Sequence, residues 1–240
     1  MATSGTNTFN LDLAELIEEA YEPIGEEVRS GYDMRTARRS LNLLFLEWAN
    51  EGVHLWKLDQ LSTSLTQGTS SYTLGAKYID LIDVSIRQTT GTTNSDSLLS
   101  RVNMGDYLGY GNKAAKGKPG LYMVERNQLL GHTLYVYPTP DASYTLISWA
   151  LSYVEDAGVY TNNADVPRRF LPALIKGLTW QLANKNPEKI IFDEQNRPVR
   201  KEGIDINRRA ELENAYRASF TLAKDEDRER ANLFLLPRVY

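Results

Sequence analysis

The sequence predicts an α+β fold: a four-helix bundle with a β-rich insertion between helices 2 and 3, and an extended C-terminal arm. Two changes of hydrophobic period carry this prediction, because helical spacing gives way to alternation and then returns. The third observation is a short apolar segment that follows a charged helix at the end of the chain. The expected division is a discontinuous helical bundle at 1–52 and 167–231, a β-rich insertion domain at 53–166 and a C-terminal arm at 232–240.

The first predicted helix is amphipathic, with an apolar stripe on one side and carboxylates on the other. Asn10 or Asp12 is available as its N-terminal cap, and Pro23 with Gly25 ends or bends it. Its stripe contains Leu13, Leu16, Ile17, Ala20 and Tyr21, and its other side carries Glu15, Glu18, Glu19 and Glu22.

The second helix has the clearest pattern in the chain. We expect Asp33 to cap it and Gly52 to occupy the C-terminal cap position. The stripe that predicts its buried side contains Ala37, Leu41, Leu44, Phe45 and Trp48.

Segments rich in Thr, Tyr, Val, Ile and Leu, and separated by Gly, Pro, Ser and Asn, then predict strands. These strands are 55–66, 71–74, 78–88, 98–102, 121–126, 133–137 and 144–153. A short helix is expected at 104–110, and 111–120 is expected to be a Gly/Lys-rich loop.

Helical spacing returns after Pro167, in a helix that is apolar on two sides and is therefore expected at the centre of the bundle. One side contains Leu171, Leu174, Ile175, Leu178 and Leu182, and the other contains Ala173, Gly177 and Trp180, whose small residues permit close approach of a neighbour. Asn186-Pro187 ends this helix, and 188–206 is expected to be a polar connector. The last helix, from Asn207 to Arg230, is expected to turn Leu212, Tyr216, Phe220 and Ala223 inward, with surface ion pairs Glu213–Arg217 and Glu226–Arg230.

The composition, with 42% hydrophobic and 24% charged residues, is ordinary for a soluble globular protein. No apolar run reaches the roughly 20 residues that cross a bilayer, and the N-terminal residues do not resemble a signal peptide. Cysteine is absent, which excludes disulfides, thiolate nucleophiles and cysteine-based zinc sites. We therefore expect a protein that is made, or begins to assemble, in a reducing cytoplasm.

The sequence offers no catalytic, metal or cofactor site, so we expect that the protein is not an enzyme. Its two histidines, His54 and His132, lie far apart and beside no serine in a strand-to-helix elbow. Carboxylate pairs such as Glu18-Glu19 occupy adjacent helical positions, which do not face each other. The segment 111–119 has the wrong glycine spacing for a phosphate-binding loop and precedes a strand.

Charge is distributed unevenly along the chain, whose net charge is −4. Residues 1–52 carry ten acidic and four basic groups, whereas 167–187 carry four basic and no acidic groups. Such segregation suits contacts between adjacent copies of one chain, and it equally suits a solvated surface without a partner. The candidate charges, which would face a neighbouring subunit or DNA, are Glu15, Glu18, Glu19, Arg35, Arg38, Arg39, Arg168 and Arg169.

The end of the chain is apolar, although chain termini are usually polar. The arm contains Leu233, Phe234, Leu235, Leu236, Pro237, Arg238, Val239 and Tyr240. Burying a large apolar side chain stabilises by roughly 1.5–3 kcal/mol, and ordering each residue costs about 1–2 kcal/mol. One arm would therefore bind weakly, and many arms on one symmetric object would bind firmly. We expect the arm to bind a neighbouring molecule; the alternative is that it packs on its own domain as a last strand.

Several short segments carry a resemblance that spans nearly the whole chain in order. They are Ser30-Gly31-Tyr32-Asp33, Thr36-Ala37-Arg38-Arg39-Ser40-Leu41-Asn42, Glu47-Trp48-Ala49-Asn50, Asn112-Lys113 with Gly117-Lys118-Pro119, Val136-Tyr137-Pro138-Thr139-Pro140-Asp141, Asp165-Val166-Pro167 with Arg169-Phe170-Leu171-Pro172, and Asp225-Glu226-Asp227-Arg228-Glu229. Together they resemble the head-to-tail adaptor family of short-tailed bacteriophages, the group related to tail tubular protein A and the packaged-DNA-stabilisation protein. The connector 190–206 departs from the family pattern by its length.

This resemblance implies a structural protein of the virion, located at the head–tail junction and assembled in the host cytoplasm. It implies a dodecameric ring beneath the portal that continues the channel for double-stranded DNA and offers a platform to the tail nozzle protein, without cofactor or membrane. It maps the extension that reaches the portal onto 232–240. The acidic first helix is expected near the channel, where negative charge would let DNA slide.

Two other function classes stay open. The first is a nucleic-acid-binding protein that uses the arginine clusters, although the sequence pI of about 5.4 argues against a free-standing DNA binder. The second is a carbohydrate-binding tail component that uses the aromatic residues of the β-rich insertion.

Overall fold

The computed structural model describes residues 5–6, 8–28, 30–52, 55–90, 92–127, 131–192 and 198–230. The chain divides into two compact units: the helical unit, Met1–Val53 with Val154–Tyr240, and the β unit, His54–Tyr153. None of the helices in the described part of the chain combines the length and the apolar character that crossing a membrane requires.

The described residues form α-helices and β-strands, in agreement with the predicted α+β class. The helices are α1 (Leu13–Tyr21), α2 (Gly31–Asn50), α3 (Met104–Gly109), α4 (Leu171–Lys185) and α5 (Ile206–Arg230). The strands are β1 (Leu58–Leu65), β2 (Ser71–Thr73), β3 (Tyr78–Thr90), β4 (Thr93–Leu98), β5 (Ser100–Arg101), β6 (Lys116–Gly117), β7 (Leu121–Glu125), β8 (Thr133–Tyr137), β9 (Thr139–Pro140), β10 (Tyr144–Ser152), β11 (Lys189–Phe192) and β12 (Pro198–Glu202).

Capping boxes begin both α1 and α2. In α1, the Asp12 carboxylate accepts a hydrogen bond from the Glu15 amide over 2.9 Å, which confirms Asp12 as a cap. In α2 the cap is Ser30, whose Oγ accepts from the Asp33 amide over 3.3 Å. The prediction of Asp33 as the cap is wrong, because its carboxylate instead accepts from the Ser30 amide over 3.0 Å and completes the box. Gly52 follows α2 with φ 76°, the left-handed conformation expected after a helix end.

Helix α4 lies at the centre of the helical unit and packs against α1, α2 and α5. Gly177 permits this close approach, because a Cβ atom at this position would lie 2.8 Å from Leu44 and 2.9 Å from Tyr216. The prediction of a central helix with two apolar sides is therefore confirmed.

The expected four-helix bundle, in contrast, is wrong. A bundle needs helices of similar length that run side by side. Here α1 has 9 residues and α5 has 25, and α1 passes directly into a 3-10 helix at Glu22–Ile24 that contains Pro23. The helices instead meet mainly through α4, and a two-stranded sheet belongs to the same unit.

Aromatic rings close the core of the helical unit. Trp48 Nε1 donates a hydrogen bond to Tyr216 Oη over 3.0 Å, and its ring stacks on Phe220 with the centroids 5.2 Å apart. Further along both helices, Glu51 forms an ion pair with Lys224 over 3.2 Å. Because residue numbers rise together along the two helices, α2 and α5 run parallel.

Residues 188–206, expected to be a polar connector, contain the hairpin of β11 and β12. Gly203, with φ 91°, follows this hairpin, and its Cα lies so close to the Pro187 carbonyl that a Cβ atom would clash. The mixed charges of this segment and Pro198 obscured the alternation that predicts strands.

The β unit contains two four-stranded sheets. The first is antiparallel, with the order β1-β10-β3-β4, and the second has the order β2-β8-β7-β5, in which β5 runs parallel to β7. One apolar core draws on both sheets, including Leu81 and Leu146 from the first and Leu134 and Val136 from the second. The helix expected at 104–110 is confirmed as α3, whereas the expected loop at 111–120 contains β6, which pairs with β9.

Candidate assembly surfaces

Five residues of α2 face away from the core and form the α2 outer face: Tyr32, Arg35, Arg39, Leu43 and Leu46. Their spacing of three or four residues places them on one side of the helix. Tyr32, Leu43 and Leu46 have exposed fractions of 64%, 57% and 55%. Sequence reasoning identified the buried stripe of α2 correctly, but it missed that the opposite side also carries large apolar residues.

Among the described residues, the arginines of the α2 outer face donate hydrogen bonds to their own helix. Arg35 Nε donates to the Gly31 carbonyl over 3.0 Å, and Arg39 donates to Thr36 Oγ1 over 3.3 Å. Lys185 lies beside them and donates to Ser40 Oγ and to the Thr36 carbonyl. Desolvation, and then the positive charge of Arg39, lower the pKa of Lys185. In the described part of the chain, no carboxylate forms an ion pair with any of these three cations.

The other candidate arginines divide into two kinds. Arg38 donates to the Gly158 carbonyl over 3.3 Å and lies 5.6 Å from the centroid of the Tyr160 ring. Arg169 is half-buried and lies 5.3 Å from the centroid of the Phe170 ring. Both side chains therefore serve contacts within the helical unit, whereas Arg168 is exposed.

The exposed side of α1, with Glu22 at the start of the following 3-10 helix, forms the α1 acidic face, which contains Glu15, Glu18, Glu19 and Glu22. The Glu15 carboxylate accepts from the Asp12 amide over 3.1 Å as part of the capping box. Within the described ranges, the other three make no ion pair. Burial, and then the charges of Asp33 and Glu26, raise the pKa of Tyr21 at the end of α1 to about 12.

In the β unit, in contrast to these two faces of the helical unit, oppositely charged side chains form ion pairs. Asp80, whose side chain is 15% exposed, forms ion pairs with Arg101 over 2.9 Å and with Arg126 over 2.5 Å. Although burial opposes ionisation, hydrogen bonds from these two guanidinium groups hold the pKa of Asp80 below its ordinary value. Arg87 and Asp96 pair across β3 and β4 over 2.7 Å.

Where the structure describes the chain, no group of three His, Cys, Asp or Glu side chains could hold a metal ion. His132 is buried, and its Nδ1 atom makes no hydrogen bond to any of the described residues. His54 and the arm residues Leu233–Tyr240 lie outside the described residues, as do the side chains of the expected Glu226–Arg230 pair. The expected Glu213–Arg217 pair is confirmed, with a distance of 2.8 Å.

Comparison with known proteins gives one family. The model of the family described as SU10 adaptor protein matches residues 11–234, which leaves out only the first ten and the last six residues. No curated protein is similar enough to the chain to count as a match.

Proposed function

Because the chain belongs to the SU10 adaptor protein family, a family of structural phage adaptors, we propose that it is the head-to-tail adaptor of a bacteriophage. Its copies form a dodecameric ring that joins the portal protein to the tail nozzle protein and continues the channel through which double-stranded DNA passes. The family match over nearly the whole chain is the observation that carries this proposal.

The arm attaches the ring to the portal. Helix α5 ends at Arg230, so the arm begins directly beyond a long helix that is anchored in the core. Leu233, Phe234, Leu235, Leu236 and Tyr240 insert between portal subunits, where water is excluded from their side chains. The ordering cost makes each arm a weak ligand, and the ring makes the set of arms a strong one.

Deletion of residues 232–240 tests this attachment. The truncated protein is expected to keep the circular dichroism spectrum and the unfolding transition of the full chain, and to lose co-sedimentation with portal rings. A finer variant, Phe234→Ser with Leu236→Ser, keeps the length of the arm and should weaken binding in the same direction.

Deletion of residues 2–8 is the matched control, because it removes a polar terminal segment of similar length. This control should join the portal as the full chain does. Full binding by the protein without its arm would contradict the proposed attachment.

A further inference from the structure

We propose that the α2 outer face of one copy binds the α1 acidic face of the next copy in the ring. This inference rests on the ring of the proposed function and names the two surfaces that would build it. Each copy would use one face towards one neighbour and the other face towards the next, so the contact is heterologous and repeats around a closed ring.

The first argument is the apolar content of the α2 outer face. Leu43 and Leu46 are more than half exposed on a helix whose opposite side already fills the core. These two leucines lie one turn apart. A protein partner that removes them from water would gain the favourable free energy of burying their side chains. Nucleic acid would offer the two leucines phosphates and sugars, which supply no such burial, and a protein surface is therefore the better occupant.

The second argument is the charge on the two faces. Arg39 lies near Lys185, and within the described residues neither these two cations nor Arg35 has a carboxylate partner. Glu18 and Glu22 of the α1 acidic face lack a cation in the same way. Each surface therefore provides the charges that the other one lacks.

The spacing of these charges also matches. Arg35 and Arg39 are four residues apart on α2, and Glu18 and Glu22 are four residues apart at α1. Four residues correspond to about 6 Å along a helix, so two guanidinium groups can face two carboxylates at once. Pairing of two α2 outer faces would instead bring four arginines together, which disfavours a two-fold symmetric contact.

Reciprocal charge reversal tests this pairing. One variant carries Arg35→Glu with Arg39→Glu, and the other carries Glu18→Arg with Glu22→Arg. Each variant alone is expected to lose ring formation, because two like-charged faces would meet. An equal mixture should form rings again, with the two variants alternating and present in equal number by native mass spectrometry.

The control variant carries Lys116→Glu with Lys118→Glu, which places on the β unit the same change of net charge as Arg35→Glu with Arg39→Glu. It should assemble as the wild type does, and a loss of rings in this control would overturn the assignment to these two faces. Normal rings formed by either reversed variant alone, or a mixture that stays monomeric although both variants are folded, would also overturn it. Wild-type rings in those experiments would leave the proposed function intact, whereas a wild type that forms no ring even with portal would refute both.

Cross-linking of introduced cysteines tests the contact directly, because the chain contains no other cysteine that could react. A variant with Glu19→Cys and Leu43→Cys should give a ladder of covalent oligomers with a short bismaleimide. The variant with Leu43→Cys alone should give none, and covalent dimers of that variant would show that two α2 outer faces meet instead.

Discussion

In the β unit, half-buried Asp80 is neutralised by Arg101 and Arg126 from the same unit, whereas α1 and α2 of the helical unit carry opposite charges on separate faces. Both units bury an apolar core and also leave large apolar residues exposed, such as Leu98 and Leu108 in the β unit and Leu43 and Leu46 on the α2 outer face. The comparison teaches that Asp80 is neutralised within its own unit, whereas the charges of the α1 acidic face and the α2 outer face form no ion pair among the described residues.

The largest expected effect concerns the close packing of α4. Gly177→Val should lower the free energy of unfolding by about 3 kcal/mol, because Leu44 and Tyr216 would have to move in a closed core. Chemical denaturation followed by tryptophan fluorescence measures this loss. Gly109→Ala in the β unit is the control; open space surrounds this glycine, and stability should stay the same or rise slightly.

The next effect concerns alkaline pH. Burial raises the pKa of Tyr216 to about 12, while the hydrogen bond from Trp48 opposes the shift. The folded state thus holds this proton more tightly, and its stabilisation is complete below the ordinary value of 10.0 and is lost as the pH rises towards 12. The loss should amount to about 2.5 kcal/mol.

Denaturation at a series of pH values measures this dependence. Tyr216→Phe should reduce the slope of the free energy of unfolding against pH between pH 10 and pH 12. Tyr32→Phe, at an exposed position, should leave this slope unchanged. An unchanged slope in Tyr216→Phe would count against this origin of the alkaline instability.

A smaller effect is expected at the charge centre of the β unit. Asp80→Asn should cost about 1–3 kcal/mol, because Arg101 and Arg126 lose a half-buried anion. The pKa of Asp80 lies below 3.8 in the folded state, so its stabilisation is present above that pH and is lost as the pH falls through the folded value. The free energy of unfolding of the variant should therefore depend less on pH in the acid range. Asp83→Asn, at an exposed neighbouring position, is the control and should change the free energy of unfolding by less than about 0.5 kcal/mol.

The smallest effect on stability belongs to the α2 outer face. Leu43→Ala with Leu46→Ala should change the free energy of unfolding by less than about 0.5 kcal/mol for each substitution, although ring assembly is lost. Leu44→Ala is the matched control, because Leu44 is fully buried beside Leu43 and should cost about 2–5 kcal/mol. A large destabilisation by the Leu43 and Leu46 substitutions would show that these leucines belong to the core instead.

The periodicity of the sequence predicted which side of each helix is buried. Leu212, Tyr216 and Phe220 of α5 lie in the core as expected, and Gly177 of α4 meets its neighbours as expected. An apolar stripe, however, indicates only that one side of a helix is buried and does not indicate which helix packs against it. The prediction of a four-helix bundle was wrong for this reason, since α4 contacts three helices of unequal length.

The charge pairs of the β unit were beyond sequence reasoning, because Asp80, Arg101 and Arg126 come from segments that only the strand register brings together. The hairpin of β11 and β12 was missed because its residues carry little alternation. Leu43 and Leu46 lie off the buried stripe and could have been found, since large apolar residues on the polar side of an amphipathic helix indicate a partner.

The parallel run of α2 and α5 has a mechanical consequence. A pull along the axis of α5, which is about 37 Å long, would load the contacts of α5 with α2 lengthwise. Such a load acts in shear on the Trp48–Tyr216 hydrogen bond, the stacked rings and the Glu51–Lys224 pair, which would have to rupture together. A pull across the helices would peel them apart one at a time. The contacts between α2 and α5 should therefore resist a pull along α5 better than a pull across it.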